Sequence, residues 1–219
     1  MKKIVLERVG DVVRALGSGP RLELLEHVSQ GERSVERLAD AAGLSVANAS
    51  QHLLKLRAAG FVRSRRDGKA VMYSLADPSV TELVAGLFRH AERTQAEIRA
   101  IVADSFGRLD RLEAVSRSEL IGRLEEGAVT LLDVRPEDEF ALGHLPGALN
   151  VRLDQLEARL AELPADREIV AYCRGPYCVL SFEAVAVLRS KGFTVRRLED
   201  GYPEWLAAGL PTESAERAL

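Results

Sequence analysis

Two cysteines, Cys173 and Cys178, sit in one short stretch, Cys173-Arg174-Gly175-Pro176-Tyr177-Cys178, and the chain contains no others. The apolar run Ile169-Val170-Ala171-Tyr172 precedes them and a helical pattern from Val179 to Ala184 follows, so Cys173 falls on a strand-to-helix turn. Backbone N–H groups at such a turn face any anion placed at the helix N-terminus, and the same field lowers a thiol pKa toward reactive thiolate. The residues therefore suit sulfur chemistry at Cys173, with Cys178 close enough in sequence to join it. A small buried thiol and a bystander is the plainer alternative. The spacing fits no standard zinc pair, so no metal is expected.

The elements that position this loop must come from a chain of 219 residues, 47% hydrophobic and 29% charged, long enough for two cores. No apolar run approaches the roughly 20 residues that span a bilayer, and the N-terminus reaches Glu7 before a signal-like segment develops. A cytoplasmic protein without a membrane partner is expected. In that reducing setting, neighbouring cysteines favour catalysis or redox chemistry over a structural staple. Charge divides unevenly: residues 1–115 carry 18 Lys+Arg against 15 Asp+Glu, whereas residues 116–219 carry 12 against 18. The front half is the one that could favour a polyanion.

In that front half, helical spacing over 9–16 and 21–28 is interrupted by Gly17-Ser18-Gly19-Pro20, with Pro20 suited to a helix first turn. Ser34 opens a short helix stopped by Gly43, and Ser45 caps another over 46–59 stopped by Gly60. Two helices joined by a tight glycine turn make a helix-turn-helix. Strand patterns over 61–66 and 69–75 follow, joined by Asp67-Gly68, a strong hairpin signal. Arg63, Arg65, Arg66 and Lys69 make its tip basic.

Residues 9–78 resemble the winged-helix domain of the ArsR/SmtB transcriptional repressors, on the segment from Arg14 to Leu25, the run from Leu44 to Val62 and the arginine-rich hairpin. The resemblance implies a recognition helix over 46–56. Ser45, Asn48, Ser50, Gln51 and His52 would face the major groove, and the wing would reach phosphates or the minor groove. Leu53, Leu54 and Leu56 are expected in the core. Metal-sensing members carry cysteines or His and acidic ligands that this half lacks, so the signal is expected to enter elsewhere. From Ser79 to about Leu112 the pattern predicts one long helix with a stripe through Leu83, Leu87, Ile98, Val102 and Leu109. By the resemblance this is the dimerisation helix, and a homodimer would read double-stranded palindromic operator DNA.

The back half alternates strands and helices. Strands are expected over 129–134, 148–151, 169–172 and 194–198, with helices over 136–142, 153–162, 179–191 and 203–208, giving a parallel α/β sheet. Such sheets bind ligands beyond the carboxyl ends of their strands, where Cys173 falls. The segments Leu132 to Phe140, Gly143 to Asn150, the loop after Tyr172, and Gly192 through Trp205 resemble the rhodanese domain. The resemblance implies that Cys173 accepts a sulfane sulfur as a persulfide, cradled by the loop Arg174, Gly175, Pro176, Tyr177 and Cys178. It also implies that Asp133 and Arg135 form a structural pair nearby, with His144 a scaffold residue. Many sulfurtransferase loops end in a cation; this one ends in Cys178 and keeps only Arg174. That departure weakens thiosulfate turnover and adds a thiol able to resolve a persulfide or sulfenate into a bridge.

The expected fold is thus multidomain. A mainly α winged helix-turn-helix with a long dimerisation helix covers 1–112 and a linker 113–118. An α/β rhodanese-like parallel sheet covers 119–213, with a tail over 214–219. The expected function is a DNA-binding repressor, free of cofactors, controlled by a sulfane sulfur donor (polysulfide, persulfide or thiosulfate) at Cys173. The alternatives are an active sulfurtransferase tethered to DNA and a repressor responding to arsenite or another thiophile.

Overall fold

The computed structural model of the chain describes residues 1–105, 114–164 and 166–214. The chain divides into two units, Met1–Val84 and Ala85–Leu219. In the first, α1 (Lys2–Arg14), α2 (Gly19–Ser29), β1 (Arg33–Ser34), α3 (Val35–Ala41), α4 (Val46–Ala58), β2 (Val62–Asp67) and β3 (Ala70–Leu75) precede α5 (Ser79–Thr94), which runs on into the second. The helix α1 starts at Lys2 rather than Val9, because no proline or turn residue interrupts the segment before Gly10. Ser34 and Ser45 cap α3 and α4 as their sequence positions predict, accepting the N–H groups of Arg37 and Asn48 at 3.3 Å. The hairpin pairs Asp67 with Ala70 across a turn where Gly68 adopts φ +57°, a conformation glycine tolerates without cost. The strand β1 adds antiparallel to β3; two residues carry too short a pattern to announce a strand.

Leu24, Leu38, Ala49, Leu53 and Leu56 are fully buried in the core of this unit, with Phe61, Tyr73 and Val80 packed among them. Leu54, expected in that core, is instead exposed at 39%. Ala49, Leu53 and Leu56 recur at the helical spacing of a single stripe, and Leu54 is turned about 100° from it.

The second unit contains α6 (Ala96–Ser105), α7 (Arg117–Glu125), β4 (Val129–Asp133), α8 (Glu137–Leu142), β5 (Leu149–Asn150), β6 (Glu168–Tyr172), α9 (Val179–Ser190), β7 (Val195–Arg197) and α10 (Tyr202–Ala207). The single long helix expected from Ser79 is broken at Gln95. The Thr94 hydroxyl donates back to the His90 carbonyl at 2.9 Å and the Arg99 guanidinium donates to the Arg93 carbonyl at 2.6 Å, which satisfies carbonyls of the last turn of α5. Leu109 lies outside the described residues. The stretch Leu153–Glu162, expected as helical, is a 3-10 helix kinked at Arg159 (φ −110°), whose side chain bridges Glu162 and the Asn150 carbonyl. The helix α7 was not expected, although Ser116 and Glu119 stand at the spacing of a capping box and the Ser116 hydroxyl accepts the Glu119 N–H at 3.2 Å.

The four strands are parallel in the order β5-β4-β6-β7, as the alternating pattern predicts. Alternation then sorts the side chains. Leu132, Ile169, Ala171 and Cys173 pack with Val185 and Leu188 of α9 on one face. Leu131, Val170 and Tyr172 pack with Leu120 and Trp205 on the other. The chain passes from β4 to β5 on one side and then crosses to β6 on the other, so the order switches between β4 and β6, the place where such sheets bind ligands beyond their strand ends.

Candidate functional site

Cys173 directly follows β6 at that switch point and Cys178 caps α9. Both are buried, and they are joined as a disulfide with Cα atoms 6.2 Å apart. The loop between them is drawn tight. The Cys178 N–H donates to the Gly175 carbonyl at 3.1 Å, the Ser181 hydroxyl to the Cys178 carbonyl at 3.0 Å, and the Tyr202 N–H to the Cys173 carbonyl at 3.1 Å. Gly201 lies directly against the loop: a Cβ there would stand 2.3 Å from the Gly175 nitrogen and 2.5 Å from the Arg174 carbonyl carbon.

On the neighbouring strand, at the end of β4, Asp133 pairs in register with Tyr172. Its carboxylate accepts the Arg135 N–H at 2.9 Å and a two-pronged guanidinium contact at 3.0 and 2.6 Å, with both side chains fully buried. The same guanidinium donates to the Gly143 carbonyl at 2.7 Å and lies over the Tyr202 ring at 4.4 Å. Burial opposes its charge, yet the adjacent Asp133 carboxylate holds its pKa above the usual range. The Arg174 side chain donates from Nε and Nη2 to the Glu139 carboxylate at 2.8 to 3.0 Å, and Glu139 is buried to 1% exposure. The pair adds no net charge beside the cysteines. His144 stacks on Phe140 at 3.6 Å, shares a 2.9 Å hydrogen bond with the Phe140 carbonyl, bridges through its backbone to Glu213 and has its Nε2 3.6 Å from the Glu213 carboxylate.

In the first unit, Ser45, Asn48 and Gln51 are exposed along α4, while Ser50 and His52 are half-buried. The Nδ1 atom of His52 is buried and has no hydrogen-bond partner; burial first, then the charges of Arg21 and Lys55, lower its pKa and keep it neutral. On the wing, Arg66 and Lys69 are exposed, whereas Arg65 is held by Glu32 at 2.9 and 3.0 Å and by Asp67 at 3.2 Å, and Arg63 donates to the Ser74 hydroxyl at 3.0 Å.

Both halves find relatives. The profile of the rhodanese-like domain matches residues 116–208, and that of bacterial regulatory proteins of the arsR family matches residues 18–64. The HTH-type transcriptional regulator Rv0324 of Mycobacterium tuberculosis is 43% identical over 212 residues, spanning 97% of this chain and 93% of that protein. This chain belongs to the ArsR-type regulators that carry a rhodanese-like domain. A sulfurtransferase of Allochromatium vinosum is 32% identical to 49% of the chain and is covered over 98% of its length. Among solved structures, the homodimeric winged helix-turn-helix domain Mb0332 from Mycobacterium bovis is 35% identical, covering 44% of this chain and 89% of that one with a TM-score of 0.41.

Within this ArsR-type regulator, sequence reasoning left out Glu139 and Gly201. Glu139 lies among three consecutive acids, Glu137, Asp138 and Glu139, and nothing local distinguishes the one that turns inward. Gly201 had a faint signal as the residue before α10, but its close approach to the cysteine loop is a tertiary contact. Among the described residues no helix is long and apolar enough to cross a membrane.

Proposed function

We propose that this ArsR-type regulator is an operator-binding repressor whose rhodanese-like domain senses sulfane sulfur through Cys173 and Cys178. The observation that carries the reading is the placement of both sulfurs within bonding reach at a strand-to-helix turn. The Cys173 thiolate attacks the sulfane sulfur of a polysulfide, persulfide or thiosulfate. The donor's sulfur–sulfur bond breaks, its remaining fragment leaves with the electron pair, and Cys173 becomes a persulfide. The Cys178 thiolate then attacks the Cys173 Sγ and expels hydrosulfide, so the two thiols are oxidised and the transferred sulfur is reduced. Buried Asp133 and Arg135 brace the ends of the strands beside the cysteine loop, and the engagement of Arg174 with Glu139 favours one-time sensing over repeated turnover of thiosulfate. The exposed apolar side chains of α1 (Ile4, Leu6, Val9 and Val13) and of α5 (Leu83 and Leu87) support a homodimer, which would present two recognition helices to a palindromic operator.

The test is fluorescence anisotropy on the protein's own promoter DNA, reduced and then treated with polysulfide. Affinity should change at least about fivefold, the lower end of ordinary coupling between sites, and Cys173→Ser should not respond. Unchanged affinity on a demonstrably modified Cys173 would sink the sensing reading and favour a tethered sulfurtransferase. A second expectation concerns the wing. Alanine at Arg66 and Lys69 together should weaken all sequences alike and lower the salt slope of log affinity by about 2, whereas Arg65→Ala, already paired with Glu32, should lower it by less than about 1. Equal slopes for the three proteins would remove the wing from phosphate contact.

A further inference from the structure

Tyr177, inside the cysteine loop, makes contacts that the sulfur chemistry does not require. Its ring lies 5.4 Å from that of Phe88, and its hydroxyl donates to the Glu92 carboxylate at 2.5 Å. Phe88 and Glu92 stand four residues apart on one side of α5, so a single helix face holds both ends of the tyrosine. Burial first, then the bond to Glu92, pushes the Tyr177 pKa up to about 12, and the phenol remains a proton donor throughout the physiological range. The other end of α5 is rooted elsewhere: Val80 is buried in the winged-helix core, and Val84 packs against that core.

Tyr177 sits within the span that the two cysteines bracket. Cys178 is its neighbour in sequence, and the disulfide fixes the span from Cys173 to Cys178 at a Cα separation of 6.2 Å. A cavity of about 280 Å³, with Arg89, Pro176, Tyr177, Phe182 and Arg197 among its lining residues, lies beside the ring. We infer that the Tyr177–Glu92 hydrogen bond is a latch that transmits the state of the cysteine pair to α5, closed while the disulfide is made and released when it is broken. The inference rests on the sensing reading above and names the residues that relay it. The bridge closes as Cys178 displaces hydrosulfide from the Cys173 persulfide. It opens when a dithiol donates two electrons and two protons, leaving two thiols and the reductant's own cyclic disulfide.

The experiment uses the full chain in its disulfide form and after reduction with dithiothreitol, with operator affinity measured for wild type, Glu92→Ala, Tyr177→Phe and the double variant. Alanine suits a helix interior, so Glu92→Ala should fold and form the disulfide as wild type does, which mass spectrometry verifies. The wild-type affinities should differ at least about fivefold between the two forms, and each single variant should shrink that difference below about twofold. The double variant should shrink it no further, because both side chains serve one bond. Single variants that keep the full wild-type difference overturn the latch alone. Additive losses in the double variant also overturn it, since they would assign the two residues to separate effects. A wild-type protein whose two forms bind equally overturns the sensing reading and the latch with it.

Discussion

Gly201→Ala should slow the polysulfide-driven closure of the Cys173–Cys178 bridge by about 100-fold, the scale of loss that a displacement of roughly 1 Å brings to a preorganised site. The backbone of Gly201 (φ −119°, ψ −171°) lies in extended space open to any residue, so conformation is not the obstacle. Contact is. The added carbon would stand 2.3 Å from the Gly175 nitrogen, 2.5 Å from the Arg174 carbonyl carbon and 2.6 Å from the Gly175 Cα. These are backbone atoms, with no flexible side chain to swing aside, so the loop must shift as a body and the bond from the Tyr202 N–H to the Cys173 carbonyl goes with it. Overpacking of this kind also costs about 1–3 kcal/mol of stability. Timed acid quenching followed by mass spectrometry of the bridged and open forms gives the rate. A variant that closes the bridge at the wild-type rate would show that Gly201 does not set the loop.

Asp133→Ala should lower the stability of the rhodanese-like domain by about 3–5 kcal/mol, because it leaves the fully buried Arg135 guanidinium without its carboxylate. The Gly143 carbonyl and the Tyr202 and Tyr172 rings offer only partial charge, and Glu139, whose carboxylate also acts on Arg135, is already engaged by Arg174. Trp205 is the one tryptophan of the sequence, is 3% exposed, and belongs to the same unit, so its fluorescence in a urea titration reports this domain. The midpoint should fall by about 2 M, given a typical urea dependence of about 2 kcal/mol per M. A midpoint within experimental error of wild type would mean that the pair is no more than a surface-like interaction and that Arg135 finds water or another anion.

Much of this molecule is legible in the residues because its signals are local. The caps Ser34 and Ser45, the Asp67-Gly68 turn and the alternation that puts Leu132, Ile169 and Ala171 on one sheet face each depend on neighbours a few positions away, and the helix-turn-helix, the wing and the parallel sheet follow from them. A local pattern misleads where the deciding partners lie off its stripe. Leu54 looks like its neighbour Leu53, yet one helical step turns it out of the stripe. The stripe through Leu83, Leu87, Ile98 and Val102 suggested an uninterrupted helix, because hydrophobic spacing does not register the Thr94 and Arg99 side chains bonding to carbonyls near Gln95.

The sequence by itself determined the two fold types, the strand-to-helix turn that carries Cys173 and the basic tip of the wing, since each is a matter of residue type at short spacing. Only the tertiary structure decided that Cys173 and Cys178 meet, that Glu139 and not Glu137 reaches Arg174, that Arg65 spends its charge on Glu32, and that Tyr177 docks on Phe88 and Glu92. Most of these contacts join residues from 33 to 85 positions apart in the chain, and only the packing of elements against one another brings such distant side chains together.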